Sequence, residues 1–541
     1  MRKIFLLLIT GIYTLMSSAI PAKRERHMLT LADGSKVEAT LMGDEMLHYF
    51  QTDDGRCLQY DSCGNACFVE PSVLHARWQA KAERRQAARI SKKKAKSKKL
   101  GAQSSMMGSK TGLVILVQFP GTTFYYNSAT FQRLFNEIDY REDINIGSVR
   151  DYFLNASYGQ FDFSFDIVGP VTMSHSLSYY GGNNNNGDDK YPATMVAEAV
   201  QMLDEQVDFS KYDWDGDGEV EQIFIIHSGY DEAQSSTRTD IWSHAWTLSE
   251  AKDEGDGNGP VTVDGVTIDS YATCSELRDR SGTSITGIGT ACHEFSHCFG
   301  LPDFYDTLGM NFGMNSWDIL DFGSYNGDGG TPAGYTSYER MFCGWLEPIE
   351  LTEPIAVLNM PALTSEPVTY MIRNTGKSDE FFLFENRQKE SWDSDLSGHG
   401  LLILHVDYDS QAWYENTVNN VRSHQRMTIV PADNTLNRFS LSGDPWPGTS
   451  RKTEFSDFST PASKFYNNNA EGNKQMNHAI TEISELAGGR ISFIFDEEAL
   501  NTPFLSPIKG EEYIYDLQGR RIINYQWPGL IIKEGKKIMQ R

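Results

Sequence analysis

His293-Glu294-Phe295-Ser296-His297-Cys298-Phe299-Gly300-Leu301-Pro302-Asp303 is the stretch on which the reading of this chain turns. On a helix, residues four apart lie on one face, one turn above the other, so both imidazoles point the same way. Two histidines so placed can grip one zinc ion, and Glu294 beside them can reach a water on it. Gly300 lets the helix stop and the chain reverse. That turn carries Asp303 back toward the metal, and a carboxylate oxygen is an acceptable third zinc ligand. The expected chemistry is peptide hydrolysis without a covalent intermediate. Zinc lowers the pKa of the water to about 7, and Glu294 takes its proton and returns it to the leaving amine.

The start of the chain sets the compartment. Arg2 and Lys3 precede the apolar run Ile4 to Ile9, and Ser17-Ser18-Ala19 supplies small residues. Residues 1–19 therefore read as a secretory signal peptide cut after Ala19, and the expected location is secreted or cell-surface. No later stretch reaches the ~18–20 apolar residues of a membrane span. The net charge of −25 includes a basic island. Between Lys81 and Lys99 ten Lys and Arg stand against one Glu. The remainder is strongly acidic, which excludes nucleic acid as a partner and leaves protein or peptide substrates. The seven cysteines are too few for a disulfide scaffold, although export permits a pair among Cys57, Cys63 and Cys67.

At 541 residues the chain is too long for one core. Residues 20–107 read as a propeptide: a small β-rich unit with an Asp33-Gly34 hairpin turn, then an exposed Lys-rich linker over 81–99. Residues 108–347 alternate apolar strands, such as Gly112 to Phe119 and Ile223 to Ile226, with helices at Tyr191 to Leu203 and Gly287 to Phe299. That alternation predicts an α/β catalytic domain. Residues 348–499 read as a β-sandwich, with runs at Phe381 to Phe384, Leu401 to Leu404 and Ile491 to Phe495. Residues 500–541 form a short β module. The fold class is thus α+β multidomain.

Further landmarks carry a family resemblance. HEFSHCFGLPDFYD spans His293 to Asp306, followed by Asn315-Ser316-Trp317-Asp318-Ile319-Leu320-Asp321-Phe322-Gly323-Ser324-Tyr325. Cys343-Gly344-Trp345-Leu346, Phe384-Glu385-Asn386-Arg387-Gln388 and Ser397-Gly398-His399-Gly400-Leu401 come next. Across these the chain resembles the M6 peptidases, the immune-inhibitor-A-like secreted metalloproteases. The spacing is also similar to the metzincin pattern H-E-x-x-H-x-x-G-x-x-H, with Asp303 in the last position. The resemblance implies a zincin-like (metzincin-like) zinc endopeptidase made as a precursor. One departure is Leu320, where the family usually has Met beneath the metal; Leu is apolar and of similar volume. Glu385 is the alternative third ligand, because a carboxylate ending an apolar strand needs a partner. Tyr305 or Tyr325 is the candidate oxyanion stabiliser.

Asp213, Asp215 and Asp217 form the D-x-D-x-D-G core of a calcium loop, with Glu219 and Glu221 as further candidates for Ca2+. Its twelfth position is Phe224, so the loop is no full EF-hand. The tail from Ile514 to Lys537 resembles the type IX sorting domains of Bacteroidetes secretion substrates, which implies the secretion machinery as a partner. The competing reading is a weak or inactive M6-like scaffold that serves as a surface binding protein or adhesin.

Overall fold

The computed structural model describes residues 18–61, 63–96, 106–184, 187–278, 280, 282–496, 514–515, 529–533 and 536–540. The architecture is mixed α+β with several separate sheets. The sheet that positions the site has six strands. In spatial order they are Ser18–Ala19, His244–Thr247, Ser270–Leu277, Ile223–Tyr230, Gly108–Gln118 and Phe161–Thr172. The last four run parallel to one another. His244–Thr247 is antiparallel to its inner neighbour, and Ser18–Ala19 is antiparallel to it on the outside.

The inner strands are buried on both faces, which their unbroken apolar runs require. One face packs on helix Ile288–Cys298, which carries the candidate site, through Phe163, Phe165, Phe224, Phe295 and Phe299. Phe224 and Phe295 stack with ring centroids 4.6 Å apart. The other face packs on helix Pro192–Leu203 through Leu113, Ile115, Val196 and Val200. Gly289 lets helix Ile288–Cys298 approach its support: a Cβ there would come within 1.9 Å of the Ser324 carbonyl oxygen.

Residues 26–69 form a five-stranded antiparallel sheet, with the hairpin Arg26–Thr30 to Lys36–Gly43 as the sequence predicts. The Lys-rich stretch departs from the expectation of an exposed linker. Helix Pro71–Lys96 runs through most of it. Lys81 and Arg85 are buried, because acidic partners neutralise them. Lys81 pairs with Asp188 at 2.9 Å. Arg85 pairs with Glu254 at 2.8 Å and lies over the Trp246 ring.

Beyond residue 348, a five-stranded sheet (Ile349–Glu350, Tyr370–Arg373, Glu380–Arg387, Gly400–Asp407, Met427–Ile429) and a four-stranded one (Ile355–Met360, Phe455–Ser456, Ala479–Leu486, Arg490–Phe495) share one apolar cluster. The backbone strands Ile514–Tyr515, Gly529–Lys533 and Lys536–Gln540 pair in a small sheet. The tail turn Asp516 to Gly519 and residues 1–17 of the signal-peptide reading lie outside the described residues. All seven cysteines are free thiols, so the pairing considered among Cys57, Cys63 and Cys67 is not formed.

Candidate active site and metal centre

Helix Ile288–Cys298 places His293 and His297 one turn apart, and Gly300, at φ +88°, turns the chain back. Asp303 returns beside both imidazoles. Its Oδ1 lies 3.1 Å from His293 Nε2 and 3.5 Å from His297 Nε2. All three side chains are buried. The other ring nitrogens are tied off. His293 Nδ1 donates to the Ile319 carbonyl at 2.7 Å, and His297 Nδ1 donates to the Leu301 carbonyl at 2.8 Å. A carbonyl can only accept, so Nδ1 carries the hydrogen and each Nε2 presents a lone pair.

The facing atoms His293 Nε2, His297 Nε2 and Asp303 Oδ1 have no hydrogen-bond partner, although buried. They lie within 4.8 Å of one another. Three converging buried acceptors without a donor are costly, and a divalent cation among them removes the cost. The donor set of two imidazoles and one carboxylate suits zinc.

Asp303 is aimed by a residue from far along the chain. Asn416 Nδ2 donates to Asp303 Oδ2 at 2.7 Å, and Asn416 Oδ1 accepts the Asp303 N–H at 2.8 Å. Oδ1 is thereby left for the cluster. Glu385, the rival ligand, sits elsewhere. Its Oε2 accepts the Ser337 N–H and hydroxyl at 2.7 and 2.6 Å, and its Oε1 accepts from Arg387 at 3.0 Å. Arg387 in turn forks onto Asp393, with two bonds of 2.6 Å. Leu320 is fully buried, and its carbonyl accepts the Phe304 N–H at 2.8 Å, one residue past Asp303.

Glu294 is fully buried next to the cluster. Burial, then the Asp303 charge, pushes its carboxyl well above the usual range. Burial also lowers His297 to about 4, which keeps it neutral and able to ligate. Glu294 Oε1 accepts the N–H of Ile20 at 3.1 Å. This exposes what the sequence did not signal: residues 18–23 lie across the site. Ser18 and Ala19 pair with Ala245 and His244 of the edge strand. The Tyr305 hydroxyl donates to the Ala19 carbonyl at 2.5 Å, and the Tyr325 hydroxyl donates to the Pro21 carbonyl at 2.7 Å. The two candidate tyrosines therefore serve carbonyls two residues apart.

The aspartate loop is a second group of possible ligands, with carboxylate oxygens of Asp213, Asp215 and Asp217 within 4.8 Å of one another. Here the carboxylates already have donors. Asp213 accepts the N–H groups of Gly216, Asp217 and Gly218, Asp215 accepts that of Asp217, and Asp217 accepts that of Glu219. Glu221 accepts the Trp214 N–H at 2.7 Å. Burial pushes the Glu221 carboxyl up to about 8.

Comparison with known proteins bears on the same segment. Residues 115–345 match the family described as immune inhibitor A peptidase M6, catalytic domain. Over that segment the chain is similar to the M6 peptidases. His293, Glu294, His297 and Asp303 fall inside the M6 match, and Asn416 and the segment 18–23 fall outside it. One relative is the pre-pro-metalloprotease PrtV of Vibrio cholerae, 26% identical over 229 residues, or 37% of this chain and 24% of that protein. Another is immune inhibitor A of Bacillus thuringiensis subsp. alesti, 26% identical over 223 residues, or 36% of this chain and 32% of that protein. The chain thus spans a third or less of the length of these relatives. Among the described residues, no helix is long and apolar enough to cross a membrane.

Proposed function

We propose that this chain is a secreted or surface zinc endopeptidase (EC 3.4.24 class) of zincin-like architecture, made as a precursor. The observation that carries the reading is the buried trio of unpartnered ligand atoms on His293, His297 and Asp303, with Glu294 beside it. These three residues would hold the ion. Zinc bound there supplies a Lewis acid and a water of pKa about 7.

The residues of the chain do the rest. Tyr305 marks where a substrate carbonyl oxygen lies, and its hydroxyl is placed to donate as negative charge builds there. Glu294 takes a proton from the attacking water, whose oxygen bonds to the carbonyl carbon. The C–N bond then breaks, its electron pair stays on nitrogen, and Glu294 delivers the proton to that nitrogen. The Ile20 nitrogen, 3.1 Å from Oε1, supports this placement of Glu294.

The backbone of residues 20–23, which stays after a cut behind Ala19, lies over Glu294 and supports the precursor reading, since a site filled by its own chain excludes substrate. Calcium at Asp213, Asp215 and Asp217, with Glu219 and Glu221 nearby, is a structural role that fits the acidic loop. The tail is read as a sorting module for secretion.

The test is casein digestion by the processed protein beside Glu294→Ala, with zinc measured in both. Cleavage lost in the variant, with about one zinc kept in each, is the expected result. Zinc without cleavage in either protein favours the inactive scaffold and binding-protein reading, with Leu320→Met the first reversion to make. Absence of zinc from both ends the metallopeptidase reading.

A further inference from the structure

The segment 18–23 is held through its backbone. Ala19 pairs with His244 of the edge strand. The Tyr305 hydroxyl meets the Ala19 carbonyl, and Glu294 meets the Ile20 N–H. The Trp242 indole donates to the Ile20 carbonyl at 3.1 Å, Tyr325 donates to the Pro21 carbonyl at 2.7 Å, and the Ala233 carbonyl accepts the Lys23 N–H at 2.9 Å. Any extended peptide offers these groups, and adding a strand to a sheet edge is a general mode of peptide recognition. The side chains are what can discriminate. Ala19 and Ile20 have no exposed surface. Ile20 belongs to one buried apolar cluster that includes Ala233 and Trp242 from the peptidase side, with Tyr325 packed against it.

The direction is equally informative. A bond being hydrolysed presents its carbonyl oxygen to an oxyanion donor and its nitrogen to the proton-delivering acid. Between Ala19 and Ile20 those two groups face Tyr305 and Glu294. In the chain before its signal peptide is cut after Ala19, the Ala19–Ile20 bond thus occupies the place of a bond to be cut, with Pro21 following.

We propose that the chain's own Ala19-Ile20-Pro21 marks the substrate subsites. The enzyme cuts preferentially between a small residue and a branched aliphatic residue, accepts proline next, and holds the two carbonyls after the cut bond with Trp242 and Tyr325. This rests on the peptidase reading and names its substrate class. Trp242 and Tyr325 are positioning residues, since they touch the substrate backbone away from the reacting bond. Trp242 also bears on specificity, because it shares the apolar cluster that takes up the aliphatic side chain. Proline is accepted there because Pro21 itself occupies the position.

The experiment is digestion of casein and of a mixed peptide library by the processed protein, with cut sites read by mass spectrometry. The expected result is enrichment of Ile, Val and Leu after the cut and of Ala, Gly and Ser before it. Casein cut without that enrichment, or cut before charged residues, overturns the subsite assignment and leaves the peptidase reading intact. Casein left whole overturns both. Trp242→Phe supplies the second arm. With one hydrogen bond removed, kcat/KM on an Ala-Ile-Pro peptide falls about five- to tenfold. The loss is smaller on a substrate in which a branched alkylamine, lacking that carbonyl, replaces Ile, because only the change in the pocket wall is then felt. Equal losses on both substrates would mean that Trp242 acts only as a structural support.

Discussion

The two candidate metal groups of this molecule differ in what their ligand atoms already have. Around Asp213, Asp215 and Asp217 the carboxylates are partly exposed and accept backbone N–H groups of their own loop. That loop is chemically satisfied as it stands. At His293, His297 and Asp303 three buried atoms converge with no donor. The outer faces of those same side chains are bonded to the Ile319 and Leu301 carbonyls and to Asn416. Residue types alone do not separate a site that a cation decorates from one that a cation completes. The accounting of each ligand atom does.

The largest expected effect separates chemistry from binding at the buried group. Glu294→Gln lowers kcat by about 10²–10⁴-fold while zinc content stays near that of the parent. Loss of both together would place Glu294 among the supports of the fold. Asp303→Ala comes next and bears directly on the contrast. Zinc content after dialysis drops toward zero and activity falls with it, whereas Asp217→Asn leaves zinc and cleavage unchanged. Comparable zinc loss in the two variants would erase the distinction. Asn416→Ala tests the outer bonds of the buried group. Zinc affinity, measured by competition with a chromophoric chelator, weakens about 10–100-fold.

The smallest effects belong to the loop. If calcium binds there, its removal lowers Tm by a few degrees, as expected for a ligand that adds about 1–2 kcal/mol in a chain of this size; an unmoved Tm removes calcium from the account. Glu221 gives a pH signature. Its folded pKa of about 8 stands above the ordinary 4.5, so the folded state holds the proton more tightly. Its contribution to stability is complete below about pH 4.5, declines as pH rises, and is gone above about pH 8. In chelator, Tm falls over that window; Glu221→Gln flattens the fall, and a slope that survives in the variant must come from other groups.

Much of the metal group was legible because helical periodicity is local. His293 and His297 stand four apart, and Gly300 and Asp303 follow at a fixed offset. The inner strands were legible from unbroken apolar runs. What escaped was non-local. Nothing near Asn416 signals that it will meet Asp303, 113 residues away. The bond from Ile20 to Glu294 spans 274 residues, and the short apolar segment that makes it reads locally as the end of a signal peptide. The Lys-rich stretch misled for a related reason. Self-repulsion argued against helix, but Lys81 and Arg85 find Asp188 and Glu254 on the far side of the chain. Glu385 shows the converse: a buried carboxylate does need a partner, and Arg387 with Ser337 supplies it without a metal.

The pairing of Ser18–Ala19 with His244–Thr247 has a consequence for how such a protein must be handled. Once that strand departs, the rim of the six-stranded sheet is bare, and an unpaired rim is a template for any extended chain. Removal of the signal peptide after Ala19 takes this strand away, so the edge is already uncovered before maturation makes a catalyst. At high concentration the ripened protein would be offered its own unfolded fragments as partners, so solutions of it should keep best when dilute or supplied with a short extended peptide that caps the rim.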